Sequence, residues 1–184
     1  MSNKIAVLLS GNGSNLNAII NKGINVSFVV SNNPNAAGLT IAKKASIPTY
    51  TWKSLSRLEK EVSKLIIKHD LKLLVLAGFM RLLSKEFVNS LPPKFIINIH
   101  PAILPNFKGL NAIEQALENC AKYTGVTIHY VDEGIDTGSI IQQEKITIYK
   151  NDTIKSLQKR LQVVEHDLYP KVIEKILSKE IQYY

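Results

Sequence analysis

Short apolar runs alternate with helix-like stretches along the first hundred residues. The apolar runs are predicted to be buried strands and cover residues 4–9, 26–30, 73–77 and 95–99. Predicted helices lie between them: one from about Leu16, one at 34–45, one whose capping box would be Ser56 with Glu59, and a short one from near Ser84. This alternation is typical of an α/β protein with an open, mostly parallel twisted sheet flanked by helices.

The second half of the chain changes character. Residues 125–131 and 140–149 have the pattern of two strands joined by a loop, and a long helix is predicted from about Thr153, capped by Asp152. Pro170 is expected to kink or restart that helix. The sequence contains no visible repeat or linker. We therefore predict a single domain over residues 1–184, with a nucleotide- or phosphate-binding half at about 1–100 and a mixed half at about 101–184.

Composition and charge exclude several classes of protein. The chain has 184 residues, of which 45% are hydrophobic, so it can build a core without disulfides or a structural metal. Cys120 is its only cysteine, which excludes an internal disulfide and fits a reducing compartment. The apolar runs are too short to cross a bilayer and no signal peptide is visible, so we expect a cytoplasmic protein. The net charge of +8 suits nucleic acid, an anionic small substrate or simply a lysine-rich composition.

A glycine-rich loop at residues 10–15 connects the first predicted strand to the first helix. Glycines let the backbone approach a bound group closely, and a helix N-terminus offers free N–H donors, so the loop suits a phosphate. A dinucleotide fingerprint would need a small residue at Leu16 and a P-loop would need Gly-Lys-Ser/Thr, so NAD and ATP are disfavoured. Two interpretations stay open: a site for a small phosphorylated ligand, or a tight turn with Ser14 or Asn15 as N-cap.

Two polar side chains end the otherwise apolar strand at residues 95–99. Asn98 and His100 are two residues apart, so both point to the same face, and Pro101 ends the strand. Because ligands of open α/β sheets bind beyond the carboxyl ends of strands, the pair would offer an amide donor and a titratable imidazole to a bound molecule. The alternative is a structural histidine beside a capping asparagine.

Asp136 lies between Gly134 and Gly138 in the loop that joins the last two predicted strands. A carboxylate close to His100 would raise the pKa of the imidazole by favouring its charged form. The sequence does not determine whether Asp136 reaches His100. Asp132 and Glu133 could equally be ordinary solvated residues of a turn.

Several motifs, in this order along the chain, resemble those of one enzyme family. They are Ser-Gly-Asn-Gly-Ser-Asn-Leu at 10–16, Leu-Ala-Gly-Phe-Met-Arg at 76–81, Asn-Ile-His-Pro at 98–101, Leu-Pro at 104–105, Asp-x-Gly-x-Asp-x-Gly at 132–138 and Glu-His-x-Leu-Tyr-Pro at 165–170. Together they resemble the phosphoribosylglycinamide formyltransferases, folate-dependent enzymes of purine biosynthesis. The resemblance covers essentially the whole chain and implies the formyltransferase fold with a Rossmann-like front half.

The resemblance also implies a role for each matching residue. The catalytic residues would be Asn98, His100 and Asp136. The residues that hold glycinamide ribonucleotide would be Gly13, Ser14, Asn15 and Glu165. The residues that bind the folate would be Arg57, Met80, Arg81, Leu82, Leu83, Asn98, Asp132, Glu133, Gly134, Ile135 and Asp136. Departures from the family pattern, such as Ala102 where a serine is common, leave the catalytic residues unchanged.

The implied reaction transfers a formyl group from 10-formyltetrahydrofolate, a cosubstrate, to the amine of 5-phosphoribosylglycinamide, and needs no metal. The implied partners are these two small molecules, with no nucleic acid and no membrane, and the protein would be a monomer or a weak homodimer. Both substrates are anionic, which a basic protein attracts.

Three alternative functions stay open. A 10-formyltetrahydrofolate hydrolase would use water as acceptor, and a methionyl-tRNA formyltransferase would use the positive charge for tRNA. We expect neither, because such enzymes carry additional domains for which a chain of 184 residues leaves no room. A non-enzymatic binding module is the third alternative, and the simultaneous presence of Asn98, His100 and Asp136 argues against it.

Overall fold

A computed structural model describes residues 3–180, and the ends of the predicted 1–184 domain, residues 1–2 and 181–184, lie outside that range. The strands are β1 Ile5–Leu9, β2 Val26–Ser31, β3 Thr49–Thr51, β4 Leu73–Leu76, β5 Ile96–His100, β6 Tyr123–Tyr130 and β7 Ile140–Thr147. The helices are α1 Ser14–Asn21, α2 Ala37–Lys44, α3 Leu55–His69, α4 Lys85–Asn89, α5 Ala112–Glu118 and α6 Ile154–Leu177.

The strands form one seven-stranded sheet in the order β3-β2-β1-β4-β5-β6-β7. Strands β1 to β5 pair in parallel, whereas β6 and β7 are antiparallel to their neighbours. The prediction of an open, mostly parallel sheet is confirmed, and both halves of the chain contribute strands to it. The strand order reverses at β1, which lies between β2 and β4, and such a reversal opens a crevice beyond the carboxyl ends of the strands.

The core is divided into two layers by the alternation of side chains along β1. Ile5, Val7 and Leu9 belong to the layer that packs against α1, α2 and α6, whereas Ala6 and Leu8 belong to the layer under α3 and α4. A strand covered on both faces needs apolar residues throughout, which explains the unbroken apolar run that predicted β1. Within residues 3–180, no helix has the length and apolar character needed to span a membrane.

The predicted N-caps of α3 and α6 were wrong. Ser54, rather than Ser56, caps α3 by accepting a hydrogen bond from the Arg57 N–H. The carboxylate of Glu59 instead accepts from the backbone N–H and the hydroxyl of Ser84. In α6 the cap is Thr153, one residue after the predicted Asp152. Both observed caps are local hydrogen bonds, and only the contact between Glu59 and Ser84 is a tertiary one that a local pattern does not contain.

Pro170 lies inside α6, which runs without a break from Ile154 to Leu177, so the predicted restart is wrong and the kink stays a prediction. A proline in a helix interior costs about 3 kcal/mol because it removes one backbone hydrogen bond. Tyr169 and Val172, both fully buried, pack this half of the helix against the sheet, and that packing outweighs the loss. The strand β3, three residues at the sheet edge, was not predicted from the sequence. The helix α2 begins at Ala37 and not at the predicted Pro34.

Candidate active site

A cleft of about 690 Å³ opens at the carboxyl ends of β1, β4 and β5. Its walls are the glycine-rich loop, the segment after β4, the loop between β6 and β7, and one face of α6. Most residues singled out from the sequence line it, namely Gly13, Ser14, Asn15, Met80, Arg81, Leu82, Leu83, Asn98, His100, Asp132, Gly134, Ile135, Asp136 and Glu165. Residues from both halves of the chain therefore meet in one cleft.

Asn98 of β5 and His129 of β6 face each other across the antiparallel pair. Residues opposite each other project to the same side of the sheet, and Asn98 Nδ2 lies 3.3 Å from His129 Nε2. His129 Nδ1 lies 2.8 Å from the carbonyl oxygen of Tyr130, which can only accept, so Nδ1 carries a proton. Nε2 therefore accepts from the Asn98 amide when the ring is neutral, and donates to a carboxylate when the ring is protonated.

The sequence analysis missed His129. The signal that could have found it is a polar residue in the otherwise apolar strand at 125–131, the same kind of signal that drew attention to Asn98 and His100. What the sequence does not contain is the register between β5 and β6, which sets His129 opposite Asn98.

His100, only 4% exposed, has an oxygen atom facing each ring nitrogen. Nε2 lies 2.7 Å from the carbonyl oxygen of Phe107, and Nδ1 lies 3.3 Å from Oδ2 of Asp136. Only the protonated ring can donate to both. Burial lowers the pKa of His100 below its ordinary value, and the charge of Asp136 and the Phe107 carbonyl oppose that lowering. Asp136 therefore acts on His100 in the expected direction, but burial outweighs it.

Asp136 is held by three groups around its carboxylate. Oδ2 accepts a hydrogen bond of 2.9 Å from the Gly109 N–H and faces His100, while Oδ1 lies 3.4 Å from His129 Nε2. Burial acts to raise the pKa of Asp136, but the hydrogen bonds from His129 and Gly109 and the charges of both histidines hold it below its ordinary value. An ionised carboxylate between two histidines is able to hold or move a proton.

The glycine-rich loop brings its backbone close to α2. Gly13 has φ +75°, and a Cβ atom there would lie 2.5 Å from the Cα of Gly38, so only glycine fits. Gly13 is the N-cap of α1 and no side chain caps the helix, so the interpretation with Ser14 or Asn15 as N-cap is wrong. The first N–H groups of α1 consequently keep the capacity to bind the oxygen atoms of an anion at the cleft.

Asn15 and Glu165, which both line the cleft, connect α1 to α6 beside the glycine-rich loop. Asn15 Nδ2 donates to Glu165 Oε2 over 2.9 Å, although 150 positions separate the two residues in the chain. The Oδ1 of Asn15 is buried and has no hydrogen-bond partner among residues 3–180. Burial raises the pKa of Glu165 above its ordinary value, and the hydrogen bond from Asn15 and the charge of His166 oppose the shift. A ligand with hydroxyl or amine donors would supply hydrogen bonds to Asn15 Oδ1 and to the Glu165 carboxylate.

The opposite side of the cleft exposes a group of large apolar side chains. Met80 is 62%, Leu82 59%, Leu110 69% and Ile135 54% exposed, and all four line the cleft. Apolar side chains gathered at a cleft in this way are suited to bind a flat, largely apolar ring. Leu110 was not among the residues predicted from the sequence.

Two of the predicted binding residues do not line the cleft. Arg57 is an exposed residue of the first turn of α3. The carboxylate of Glu133 accepts from Asn89 Nδ2 over 2.8 Å and pairs with Lys85 at 3.4 Å, so it connects its loop to α4. Among the described residues, no group of three or more His, Cys, Asp or Glu side chains is placed to hold a metal ion.

The chain was compared with known families and curated proteins. Residues 3–173 match the formyl transferase family. The phosphoribosylglycinamide formyltransferase of Bacillus subtilis is 37% identical over 186 residues, which is 95% of this chain and 95% of that protein. The human trifunctional purine biosynthetic protein adenosine-3 is 38% identical over 190 residues, covering 97% of this chain but only 19% of that protein. The chain thus spans a minor part of its trifunctional relatives.

Solved structures give the same result. The phosphoribosylglycinamide formyltransferase of Anaplasma phagocytophilum superposes with a TM-score of 0.95 at 40% identity, over all of this chain and 91% of that one. The enzyme of the same name from Bacillus halodurans gives a TM-score of 0.91 at 39% identity, with 98% of each chain covered. Sequence and fold agree, and this chain belongs to the formyl transferase family.

Proposed function

We propose that the protein transfers the formyl group of 10-formyltetrahydrofolate to the amine of 5-phosphoribosylglycinamide, giving formylglycinamide ribonucleotide in the de novo synthesis of purines. One observation carries this proposal. Asn98, His100 and Asp136 lie together between an anion-binding loop and an apolar wall, in a chain that matches the Bacillus subtilis enzyme over 95% of both lengths.

The two substrates would enter from opposite sides of the cleft. The phosphate of the ribonucleotide would bind the N–H groups of Gly13, Ser14 and Asn15, and the Glu165 carboxylate would accept from its ribose hydroxyls or glycinamide end. The pterin would lie against Met80, Arg81, Leu82, Leu83 and Ile135, with the 132–136 loop closing around it. Arg57 and Glu133 would act only at the periphery, because neither lines the cleft.

The reaction then proceeds by direct attack. The glycinamide nitrogen forms a bond to the formyl carbon, and the carbonyl oxygen becomes a tetrahedral oxyanion. The Asn98 amide donates a hydrogen bond to that oxyanion. So does His100 in its protonated form, which the charge of Asp136 and the developing charge of the oxyanion favour against the effect of burial. When the bond between the formyl carbon and N10 breaks, the amine proton passes to N10, with Asp136 accepting and returning it through a water.

His129 would orient this arrangement without contacting the oxyanion. Its Nε2 faces both the Asn98 amide and the Asp136 carboxylate, so it fixes where each points. For His100 to donate to the oxyanion, its Nε2 must turn from the Phe107 carbonyl, or share its proton between the two oxygens.

The same proposal covers the partners and the place of action. All of the proposed catalytic residues come from one chain, which supports a monomer or weak homodimer as the active form. We propose that the protein acts in the cytoplasm on two small, anionic substrates, and that it binds neither nucleic acid nor a membrane.

One assay tests the function against its alternatives. The protein is incubated with 10-formyltetrahydrofolate, with and without 5-phosphoribosylglycinamide, and tetrahydrofolate formation is followed. Formation that depends on the ribonucleotide, with formylglycinamide ribonucleotide as second product, is the expected result. Formation of tetrahydrofolate without the acceptor would instead identify a hydrolase. Transfer only when methionyl-tRNA is supplied as the acceptor would identify a methionyl-tRNA formyltransferase, and the absence of any turnover would identify a binding module.

A further inference from the structure

Ser10, the residue that follows β1, connects two walls of the cleft through its hydroxyl group. Ser10 Oγ donates to Asn32 Oδ1 over 2.6 Å and accepts from the Met80 N–H over 2.8 Å. A hydroxyl has one proton, so its donation to Asn32 turns the oxygen lone pairs towards Met80. The direction of both hydrogen bonds is therefore fixed by the position of Asn32.

The backbone of Ser10 supports this connection. Its N–H donates to the Gly78 carbonyl over 3.0 Å, and its own carbonyl accepts from Asn33 Nδ2 over 3.3 Å. Ser10 thus contacts the segment after β4 at two points while the loop after β2 holds it from behind. Replacement of its side chain leaves both backbone contacts available.

The segment at residues 78–83 is held by polar contacts at both ends and by the packing of Phe79 and Leu83 on the core layer under α3 and α4. At one end the Ser10 hydroxyl binds the Met80 N–H, and at the other the buried Glu59 carboxylate binds the N–H and hydroxyl of Ser84. The side chain of Met80 is 62% exposed and that of Leu82 is 59% exposed, so burial of these side chains contributes little to fixing the segment. The hydrogen bond from the Met80 N–H to Ser10 therefore adds, at the exposed part of the segment, to the rigidity that a binding wall needs.

We infer that Ser10 is a positioning residue for the wall that binds the formyl donor, and that its hydroxyl ties this wall to the loop proposed to bind phosphate. The inference rests on the proposed function, because it takes residues 80–83 as the pterin wall. Ser10 would not touch the reacting atoms. It would set the position of the Met80 backbone and thereby the affinity for the folate ring.

The test compares Ser10→Ala with Ser10→Thr, which keeps the hydroxyl. Tetrahydrofolate serves as a non-reacting probe in calorimetric titrations, and kcat and both KM values are measured by the tetrahydrofolate assay. Loss of one neutral hydrogen bond is expected to weaken tetrahydrofolate binding and raise the KM for the donor by about two- to tenfold. We expect kcat and the KM for the ribonucleotide to change by less than about twofold, and Ser10→Thr to restore the affinity.

Ser63→Ala is the matched control, because Ser63 also bonds through its hydroxyl, to the Glu59 carbonyl on α3 over 3.0 Å, but does not line the cleft. Asn32→Ala is a second variant that removes the acceptor and leaves the Ser10 side chain in place. It should weaken tetrahydrofolate binding in the same direction, and the double variant with Ser10→Ala should be no weaker than Ser10→Ala alone.

The outcomes separate this inference from the proposed function. If the unaltered protein binds tetrahydrofolate and transfers the formyl group but Ser10→Ala binds equally well, the role of Ser10 is refuted and the function stands. A drop in Tm and kcat without any change in donor KM would also refute it, as a purely structural effect. If Ser10→Ala does not fold, unchanged binding by Asn32→Ala refutes it. If the unaltered protein neither binds nor transfers, the function itself fails.

Discussion

The Asn98 amide and the His129 ring lie 3.3 Å apart, and the same ring nitrogen of His129 lies 3.4 Å from Asp136. One histidine therefore contacts two of the three proposed catalytic residues, although it belongs to the antiparallel part of the sheet and not to the parallel part. The proposed catalytic residues and His129 consequently form a network of four side chains.

The first prediction concerns the position of that ring nitrogen. Glutamine can place a polar group near the position of Nε2, whereas asparagine reaches only the position of Nδ1. We expect His129→Asn to lower kcat by at least about tenfold, because Asn98 and Asp136 lose a shared partner, and His129→Gln to lower it less. Equal losses in the two variants, measured at saturating substrates, would contradict this role.

The second prediction separates chemistry from binding. Asp136→Asn should reduce turnover severely while tetrahydrofolate binding stays nearly unchanged. Because the charge of Asp136 opposes the effect of burial on His100, its removal should shift the pKa of His100 further below its ordinary value. Titration of the His100 ring by NMR in both proteins measures this directly. Near-normal turnover would remove Asp136 from the mechanism.

The third prediction uses the buried carboxylate on α6. The pKa of Glu165 in the folded protein is raised above its ordinary value of 4.5. The folded state therefore loses stability relative to the unfolded state as the pH rises from 4.5 through the raised pKa. Glu165→Gln should therefore raise Tm at pH 7, and the gain should vanish at a pH below 4.5, where the carboxyl is protonated in both states.

The same substitution should weaken the proposed ribonucleotide site. In the Glu165→Gln variant the amide oxygen of the new side chain would still accept from Asn15, but the side chain carries no charge, so we expect a higher KM for the ribonucleotide. Measured together, a higher Tm with a higher KM would indicate that Glu165 is retained for binding at the expense of stability. A lower Tm at pH 7 would contradict the raised pKa.

The fourth prediction tests the attachment of α6 to the sheet. The hydroxyl of the fully buried Tyr169 lies 2.8 Å from the Leu76 carbonyl oxygen and 3.3 Å from that of Ile97. Tyr169→Phe leaves both buried carbonyls without this donor and should lower the free energy of unfolding by about 1–3 kcal/mol. Tyr149→Phe, at a residue that is 62% exposed, is the control and should be nearly neutral in the same denaturation experiment.

The fifth prediction distinguishes two glycines of the same loop. Gly13→Ala requires a left-handed conformation, at about 1–2 kcal/mol, and also meets the backbone of Gly38. Gly11 has no atom within 4 Å of an added Cβ, so Gly11→Ala should leave the Tm nearly unchanged. Thermal unfolding of the two variants tests the difference, and equal Tm values would show that the loop tolerates a side chain at both positions.

The sequence predicts those features that depend on local pattern. The strands β1, β2, β4 and β5 follow from runs that are wholly or mostly apolar, because a strand buried on both faces has little choice of residue. Asn98 and His100 are visible because they interrupt such a run at its end. The grouping of the candidate residues in one cleft was likewise expected, from the carboxyl-end rule and from the resemblance of the motifs.

What could not be predicted depends on pairing between distant segments. The register of β6 against β5 brings His129 to Asn98. Glu59 was predicted to complete a capping box, but in the folded protein its carboxylate accepts a hydrogen bond from Ser84 at the start of α4. For a related reason local propensity does not show that α6 continues through Pro170, which the packing of the fully buried Tyr169 favours. Three-residue β3 owes its strand conformation to pairing with β2 and carries almost no periodic signal.

The hydrogen bond from Asn15 to Glu165 has a consequence for how activity is acquired. During synthesis the glycine-rich loop leaves the ribosome early, but its partner is added 150 positions later and reaches it only when α6 docks. Glu165, in the proposed ribonucleotide site, is thus the last residue of the cleft to be synthesised. A mild denaturant concentration that detaches α6 should abolish turnover before the parallel strands separate. Turnover would then report the docking of α6 more sensitively than a spectroscopic signal from the sheet.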